Sequence, residues 1–295
     1  MRILLAGASG FLGTRLAQRL RESGHDVTRL VRREPGAKEA RWDPARGALE
    51  PTVVAGTDAV INLAGANVGG RRWTAAYKRE LRDSRLDTTG TLARTIAALP
   101  PADRPTSLLN ASAVGYYGDA GDRTLDESSP PADDFLARLC VEWEGATRPA
   151  ADAGVRVVLL RSGLALEKGG GLLGPVRLQF LLGAGGRLSS GRQYVPWISM
   201  ADWLGAVEFL LERDLAGPVN LTGPQPVTNA EFSRVLAKRL HRPALIPAPA
   251  FALKVALGGF AAEILASRRA IPARLTEGGF GFRHRTLDEA LAAVL

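Results

Sequence analysis

The residues of this chain with the clearest capacity for chemistry are three glycines, in the stretch Gly7-Ala8-Ser9-Gly10-Phe11-Leu12-Gly13, and the chemistry they suit is phosphate binding. Gly7 can turn with positive φ, Gly10 lacks the Cβ that would hold a pyrophosphate away, and Gly13 lets a new helix press against the preceding strand. Ser9, Phe11 and Leu12 lie in the same turn, where the free amides of a helix start would face the phosphates. About 20 residues beyond such glycines, an NAD site places an acid that accepts from the ribose 2′-hydroxyl. Here that place holds Arg32 and Arg33. Two guanidiniums suit a 2′-phosphate, which they can grip with paired N–H donors, so the pattern predicts NADP as cofactor. Arg33 is explained equally well as a solvated strand end.

A second group could act on a substrate. Ser112 closes an apolar run, and Tyr116 and Tyr117 follow it within a few residues. A hydroxyl at the carboxyl end of a strand can orient a substrate oxygen, and a nearby tyrosine can pass it a proton. A packed ring with a satisfied hydroxyl is the competing account of either tyrosine. Metal chemistry has no such pattern: His25, His241 and His284 are isolated, and Cys140 is the single cysteine.

The elements that must position these residues alternate between strand and helix. Met1 to Ala6 reads as a buried strand, the helix after the glycines carries Leu16 and Leu20 on one face, and Asp26 to Val31 is a second strand. Ala37 to Asp43 is a short extended segment that could border an adenine. Asp58 to Gly65 is another buried parallel strand ending in the small residues Ala64 and Gly65, where a backbone can pass close to a cofactor. A long helix over Thr74 to Leu99 ends before Pro100 and Pro101. Its Glu80 and Arg85 lie five apart, off the helical ion-pair spacing, so surface decoration is their default role. Thr106 to Ser112 is the next strand, Asp133 to Ala153 a helix and Val155 to Arg161 a further strand. The alternation predicts an α/β fold, a Rossmann-type doubly wound parallel sheet with ligands at the carboxyl ends of its strands.

Beyond Arg161 glycine-rich loops interrupt the pattern. They suggest a smaller C-terminal substrate lobe, with a Rossmann domain over residues 1–165, the lobe over 166–295, and sheet elements returning near 198–222. Ser199 and Asp202 have near-capping-box spacing at the start of a helix, which gives Asp202 a structural role. Asn229 is read as a helix cap, and Thr286 with Glu289 as a capping box.

A chain of 295 residues, 46% hydrophobic and 23% charged, is ample for a buried core. The longest apolar candidate, Phe251 to Ala266, is broken by Lys254 and Glu263, and the apolar run before Gly7 is too short for a signal-peptide core. The single cysteine allows no internal disulfide, consistent with a cytoplasmic protein. The formal charge of +8 is spread along the chain, with no nucleic-acid-binding motif. It favours an anionic cofactor and a small-molecule substrate over nucleic acid or membrane as partner, and leaves a homodimer open.

With these motifs placed, the chain resembles an extended short-chain dehydrogenase/reductase of the NAD(P)-dependent epimerase/dehydratase type. It is most similar to an atypical epimerase-family subgroup marked by Arg72-Trp73, Ser84-Arg85, Leu139-Cys140-Val141-Glu142-Trp143-Glu144, Arg161-Ser162-Gly163, Gly169-Gly170-Gly171 and Pro196-Trp197-Ile198. The tail from about Pro243 resembles that subgroup's small C-terminal domain. The resemblance implies NADP contacts at Leu63, Ala64, Glu80, Arg85 and Ala165. It also implies oxidoreductase or epimerase activity on a carbonyl or hydroxyl compound. The usual Tyr-x-x-x-Lys pair, however, is absent: Leu81, Ala120, Gly121 and Ile198 stand four residues after the four tyrosines. Two classes of function follow, an NADP-dependent enzyme whose acid/base has moved, with Ser112 orienting the substrate and Tyr116 or Tyr117 donating the proton, and a non-catalytic NADP(H)-binding sensor or partner-binding module.

Overall fold

The structure is a computed structural model that describes residues 1–295. The first half runs β1 (Arg2–Ala6), α1 (Phe11–Glu22), β2 (Asp26–Val31), β3 (Glu39–Arg41), α2 (Pro51–Val54), β4 (Ala59–Asn62), α3 (Ala75–Ala98), β5 (Ser107–Ala113) and β6 (Thr124–Leu125). Then come α4 (Phe135–Gly145), α5 (Arg148–Asp152), β7 (Arg156–Ser162), β8 (Leu164–Leu166), α6 (Leu173–Leu181), β9 (Tyr194–Val195), β10 (Trp197–Ser199), α7 (Met200–Glu212) and β11 (Gly217–Leu221). The chain closes with β12 (Val227–Thr228), α8 (Asn229–Leu240), α9 (Ala250–Leu257), α10 (Phe260–Leu265), β13 (Arg269–Ala270), α11 (Ala273–Glu277) and α12 (Leu287–Val294).

Seven strands form one sheet in the order β11-β7-β5-β4-β1-β2-β3. β1 pairs in parallel with both β2 and β4, β2 with β3, and β4 with β5. The chain therefore winds outward from β1 through β2 to β3, then returns to the other side of β1 as β4. That reversal opens a crevice at the carboxyl ends of β1 and β4, the place where doubly wound sheets bind ligands. The α/β Rossmann-type expectation is met. β1 is buried from Ile3 to Ala6, and β4 along its whole length, as strands covered on both faces must be. α1 lays Leu16, Ala17 and Leu20 on its buried face.

The chain divides into two compact units. Met1–Ser112, Leu139–Leu160 and Val207–Pro218 form the first; Ala113–Arg138, Arg161–Ala206 and Val219–Leu295 form the second. In the first, Leu4, Leu30, Val60 and Leu108 of the strands pack with Leu92 and Ile96 of α3. In the second, Leu166, Phe180 and Trp197 pack with Phe232 and Leu236 of α8 and with Leu287 and Leu291 of α12. No helix is long and apolar enough to cross a membrane.

Several local expectations need correction. The helix expected over Asp133 to Ala153 is two helices, α4 and α5. Pro149 has no N–H to give the Gly145 carbonyl one turn back, so the ladder breaks there, and beside the break the Thr147 hydroxyl donates to the Glu144 carbonyl at 2.7 Å. Thr228, not Asn229, caps α8, since its side chain accepts from the Glu231 amide. Asn229 serves elsewhere and accepts from the Leu188 amide at 2.7 Å. His284 is not isolated: its Nδ1 lies 2.9 Å from Ser199 Oγ. Asp202 has the structural role expected of it. Its carboxylate accepts from Ser199 Oγ at 2.6 Å, from the Arg283 amide at 2.6 Å and from the His284 amide at 3.1 Å, fastening the segment before α12 to α7. Thr286 and Glu289 form the capping box.

Candidate functional site

The glycine turn lies at the carboxyl end of β1, and its three glycines have different physical reasons. Gly7 has φ +79°, and a Cβ on it would stand 2.5 Å from the Leu63 carbonyl carbon, where β1 and β4 end side by side. A Cβ on Gly13 would overlap the Gly7 carbonyl oxygen, so α1 can seat on the turn only with glycine there. Gly10 differs from both. Its φ is −77°, and a Cβ would meet only the Gly7 oxygen, at 3.4 Å, an ordinary contact. Packing within the protein thus does not require glycine at position 10; the open space lies outside the turn. Gly10 is also the N-cap of α1 and brings no side chain to its first amides, and no acid stands in the first turn. The helix start is left free for an external anion.

That space is the mouth of a crevice of about 800 Å³. Gly7, Ser9, Gly10, Arg32, Arg33, Leu63, Ala64, Gly65 and Glu80 all line it. Phe11, Leu12, Arg85 and Ala165 do not. Phe11 and Leu12 open α1 itself, and Ala165 is buried in β8, paired with Ile198 of β10.

α3 holds the far wall in place. The Ala66 amide donates to Ser84 Oγ at 3.0 Å, and the Ala64 amide to Asn62 Oδ1 at 3.1 Å. Behind them lies a buried polar network in which the Asn62 side-chain amide donates to Asn110 and to Thr89, and the Trp143 indole donates to Thr89 at 2.9 Å. A fully partnered network of this kind fixes the strand ends it connects. Asp87, on the same wall, has its pKa raised, first by burial and then by the neighbouring Asp83.

The charges at one end of the crevice are unequal. Arg32 is exposed and engaged by no hydrogen bond or ion pair. Arg33 Nη2 donates to one Glu39 oxygen at 2.8 Å, while its Nη1 makes an ion pair with the other oxygen at 2.8 Å and donates its hydrogen bond to the Glu34 carbonyl. Arg29 reaches the same carboxylate at 2.7 Å. The Arg33 hydrogen bond, the Gly36 amide and the nearby cations hold the Glu39 pKa below its ordinary value. Glu39 lines the crevice and was missed by sequence reasoning, because only the pairing of β3 with β2 brings it beside Arg29.

Glu80 is an exposed partner of Arg71 at 3.3 Å, but Arg85 is not surface decoration. It is buried, with its guanidinium 4.9 Å above the Trp143 ring and one N–H donated to the Leu81 carbonyl. It packs against Gly65, where an added Cβ would lie 3.4 to 3.6 Å from its side chain. Burial pushes its pKa down, while Cys140 and Tyr77 act in the other direction. The five-residue spacing from Glu80 could not reveal this, since α4 supplies the indole.

The candidate proton-transfer groups also separate. Ser112 is buried at the end of β5, and its hydroxyl donates to the Glu144 carboxylate of α4 at 2.6 Å. Tyr117 is 2% exposed; its hydroxyl donates to Asn220 at 2.8 Å and accepts from Arg161 at 3.1 Å. Burial pushes its pKa up to about 12, against the pull of Arg161. In this structure the Tyr117 hydroxyl is thus buried and engaged by two side chains. Tyr116 is half-buried, edge-on to Tyr117, with the Arg161 guanidinium 3.5 Å from its ring centre.

Comparison with known proteins agrees with this geometry. The family model described as NAD dependent epimerase/dehydratase family matches residues 3–221, and a domain of unknown function, DUF1731, matches residues 248–294. An epimerase family protein of Mycobacterium bovis is 46% identical over 292 residues, spanning 98% of this chain and 96% of that protein. The Homo sapiens epimerase family protein SDR39U1 is 37% identical over 300 residues, spanning all of both. A crystal structure of human SDR39U1 (isoform 2) with NADPH superimposes with a TM-score of 0.91 at 36% identity, covering 100% of this chain and 99% of that one. A nucleoside-diphosphate sugar epimerase from Corynebacterium glutamicum gives 0.83 at 33% identity, covering 100% of this chain and 58% of that one. The protein is a member of the NAD dependent epimerase/dehydratase family.

Proposed function

We propose that the protein binds NADP(H) in the crevice between β1 and β4 and acts as an oxidoreductase or epimerase on a small carbonyl or hydroxyl compound. The observation that carries the cofactor assignment is Arg32, an unengaged guanidinium on the crevice wall at the position where an NAD site needs a carboxylate. The turn supports it. Gly10 presents a side-chain-free face and the uncapped amides of α1 to the place of a pyrophosphate. The NADPH found with the human relative is in keeping with this reading.

When bound, the coenzyme supplies or accepts a hydride. Proton handling falls to the protein. Ser112 Oγ donates to Glu144, so its lone pairs can accept a hydrogen bond from a substrate hydroxyl while the carboxylate stands ready to take the serine proton. This chain of oxygens takes the place of the missing Tyr-x-x-x-Lys. The absence of that pair and the engaged hydroxyl of Tyr117 favour a second reading, a module that binds NADP(H) without turnover.

Calorimetric titration of wild-type protein and Arg32→Glu with NADPH and NADH tests the cofactor assignment. Arg32→Glu is expected to weaken NADPH by more than about tenfold and NADH by less than about threefold, since only the former carries the 2′-phosphate. Equal losses for both coenzymes would overturn it. Turnover of NADPH against a panel of carbonyl compounds separates the two readings of activity.

A further inference from the structure

We propose that Glu39 sets how strongly the crevice discriminates 2′-phosphorylated from unphosphorylated nicotinamide dinucleotides, by holding Arg33 in a carboxylate fork and leaving Arg32 as the one free cation. The inference rests on the coenzyme reading above and concerns its specificity. Three guanidiniums, Arg29, Arg32 and Arg33, line one end of the crevice, and Glu39 lies among them with its side chain only 3% exposed. Both of its oxygens are used. One accepts from Arg33 at 2.8 Å and lies 2.7 Å from Arg29, and the other takes the second arm of Arg33 and the Gly36 amide, each at 2.8 Å.

Arg33 thus meets Glu39 through both terminal nitrogens, one by a hydrogen bond and one by an ion pair, so a carboxylate already stands on the edge with which a guanidinium grips an anion. A 2′-phosphate that sought Arg33 would have to compete with the carboxylate already seated there. The same carboxylate repels a dianion beside it. Both effects act on the phosphorylated coenzyme and leave the unphosphorylated one nearly untouched. Glu39 therefore holds phosphate selectivity below what three arginines would give.

A double-mutant cycle tests this through binding alone. NADPH and NADH are titrated by nicotinamide fluorescence into wild-type protein, Glu39→Gln, Arg33→Ala and the double variant, each checked for an unchanged unfolding transition. Glu39→Gln is expected to tighten NADPH by about tenfold and to change NADH by less than about twofold. Arg33→Ala is expected to change NADPH by less than about threefold in the native background, and to erase the gain in the Glu39→Gln background. The proposal is overturned if Glu39→Gln leaves NADPH affinity equal or weaker, or if Arg33→Ala costs as much in the native background as in the other. Neither coenzyme binding to any of the four proteins would instead remove the coenzyme reading itself.

Discussion

Gly10 and Gly13 lie three residues apart in one turn, yet adding a single methyl group to each should have opposite consequences. A Cβ at position 13 would overlap the Gly7 carbonyl oxygen and come within 3 Å of the Gly7 carbon and Ala8 Cα, all backbone atoms that cannot turn aside. Seating it requires α1 to lift from β1, and overpacking of this kind costs about 1–3 kcal/mol. At position 10 the new methyl meets only one oxygen, at 3.4 Å, and the residue keeps its φ of −77°. The penalty there is the poorer capping by alanine, about 1 kcal/mol or less. Its methyl, however, enters the space from which a pyrophosphate would approach the α1 amides, and a loss of at least about tenfold in NADPH affinity, or 1.4 kcal/mol, is expected. Urea unfolding gives the first quantity and nicotinamide fluorescence titration the second. Gly10→Ala should bind poorly and unfold nearly as wild type; Gly13→Ala should unfold earlier. If Gly10→Ala binds NADPH as tightly as wild type, the turn does not hold the phosphates.

Other perturbations follow from the same geometry. Tyr117 ionises late, so its contribution to stability is full below pH 10 and is lost as pH rises toward about 12. The unfolded state releases its proton first, and about 2–3 kcal/mol should disappear across that window. Tyr117→Phe should remove this alkaline loss in denaturation curves, and an unchanged curve would mean that the hydroxyl is not buried as described. Ser112→Ala and Glu144→Gln should leave NADPH affinity within about threefold and reduce turnover of any accepted carbonyl compound by about 100-fold, the usual worth of a positioned proton-transfer group; undiminished rates in both would end the proton-relay account. Asp202→Ala strips the carboxylate that holds the Arg283 and His284 amides and should cost about 2–4 kcal/mol in chemical denaturation, against no change if that segment holds itself.

Much of the fold was legible because it depends on local signals. Continuous apolar runs marked β1 and β4 as strands buried on both faces, the glycines marked the turn into α1, and Pro100 with Pro101 marked the end of α3. The sequence could also point to Gly10, Arg32 and Leu63 as neighbours, since a doubly wound sheet brings the carboxyl ends of its central strands together. What it could not show were contacts set by strand register and by the approach of distant helices. Glu39 looks like an ordinary charged residue until β3 pairs with β2 and brings it to Arg29. Arg85 looks like a surface cation until α4 lays Trp143 beneath it. Tyr117 could be a catalyst or a core hydroxyl on its spacing after Ser112, and its 2.8 Å bond to Asn220, over a hundred positions away, is a contact no local signal shows. The division of the expected helix after Asp133 had a signal in Pro149, whose missing N–H the apolar pattern of the segment outweighed.

The crevice at the ends of β1 and β4 is expected to hold a phosphorylated nicotinamide dinucleotide. The most direct test is an isothermal calorimetric titration of the wild-type protein with NADPH at near-physiological salt. One site per chain with saturable heat, and weaker binding of the same coenzyme lacking its 2′-phosphate, is the predicted result. Absence of saturable heat, or equal affinity for the two forms, would contradict it.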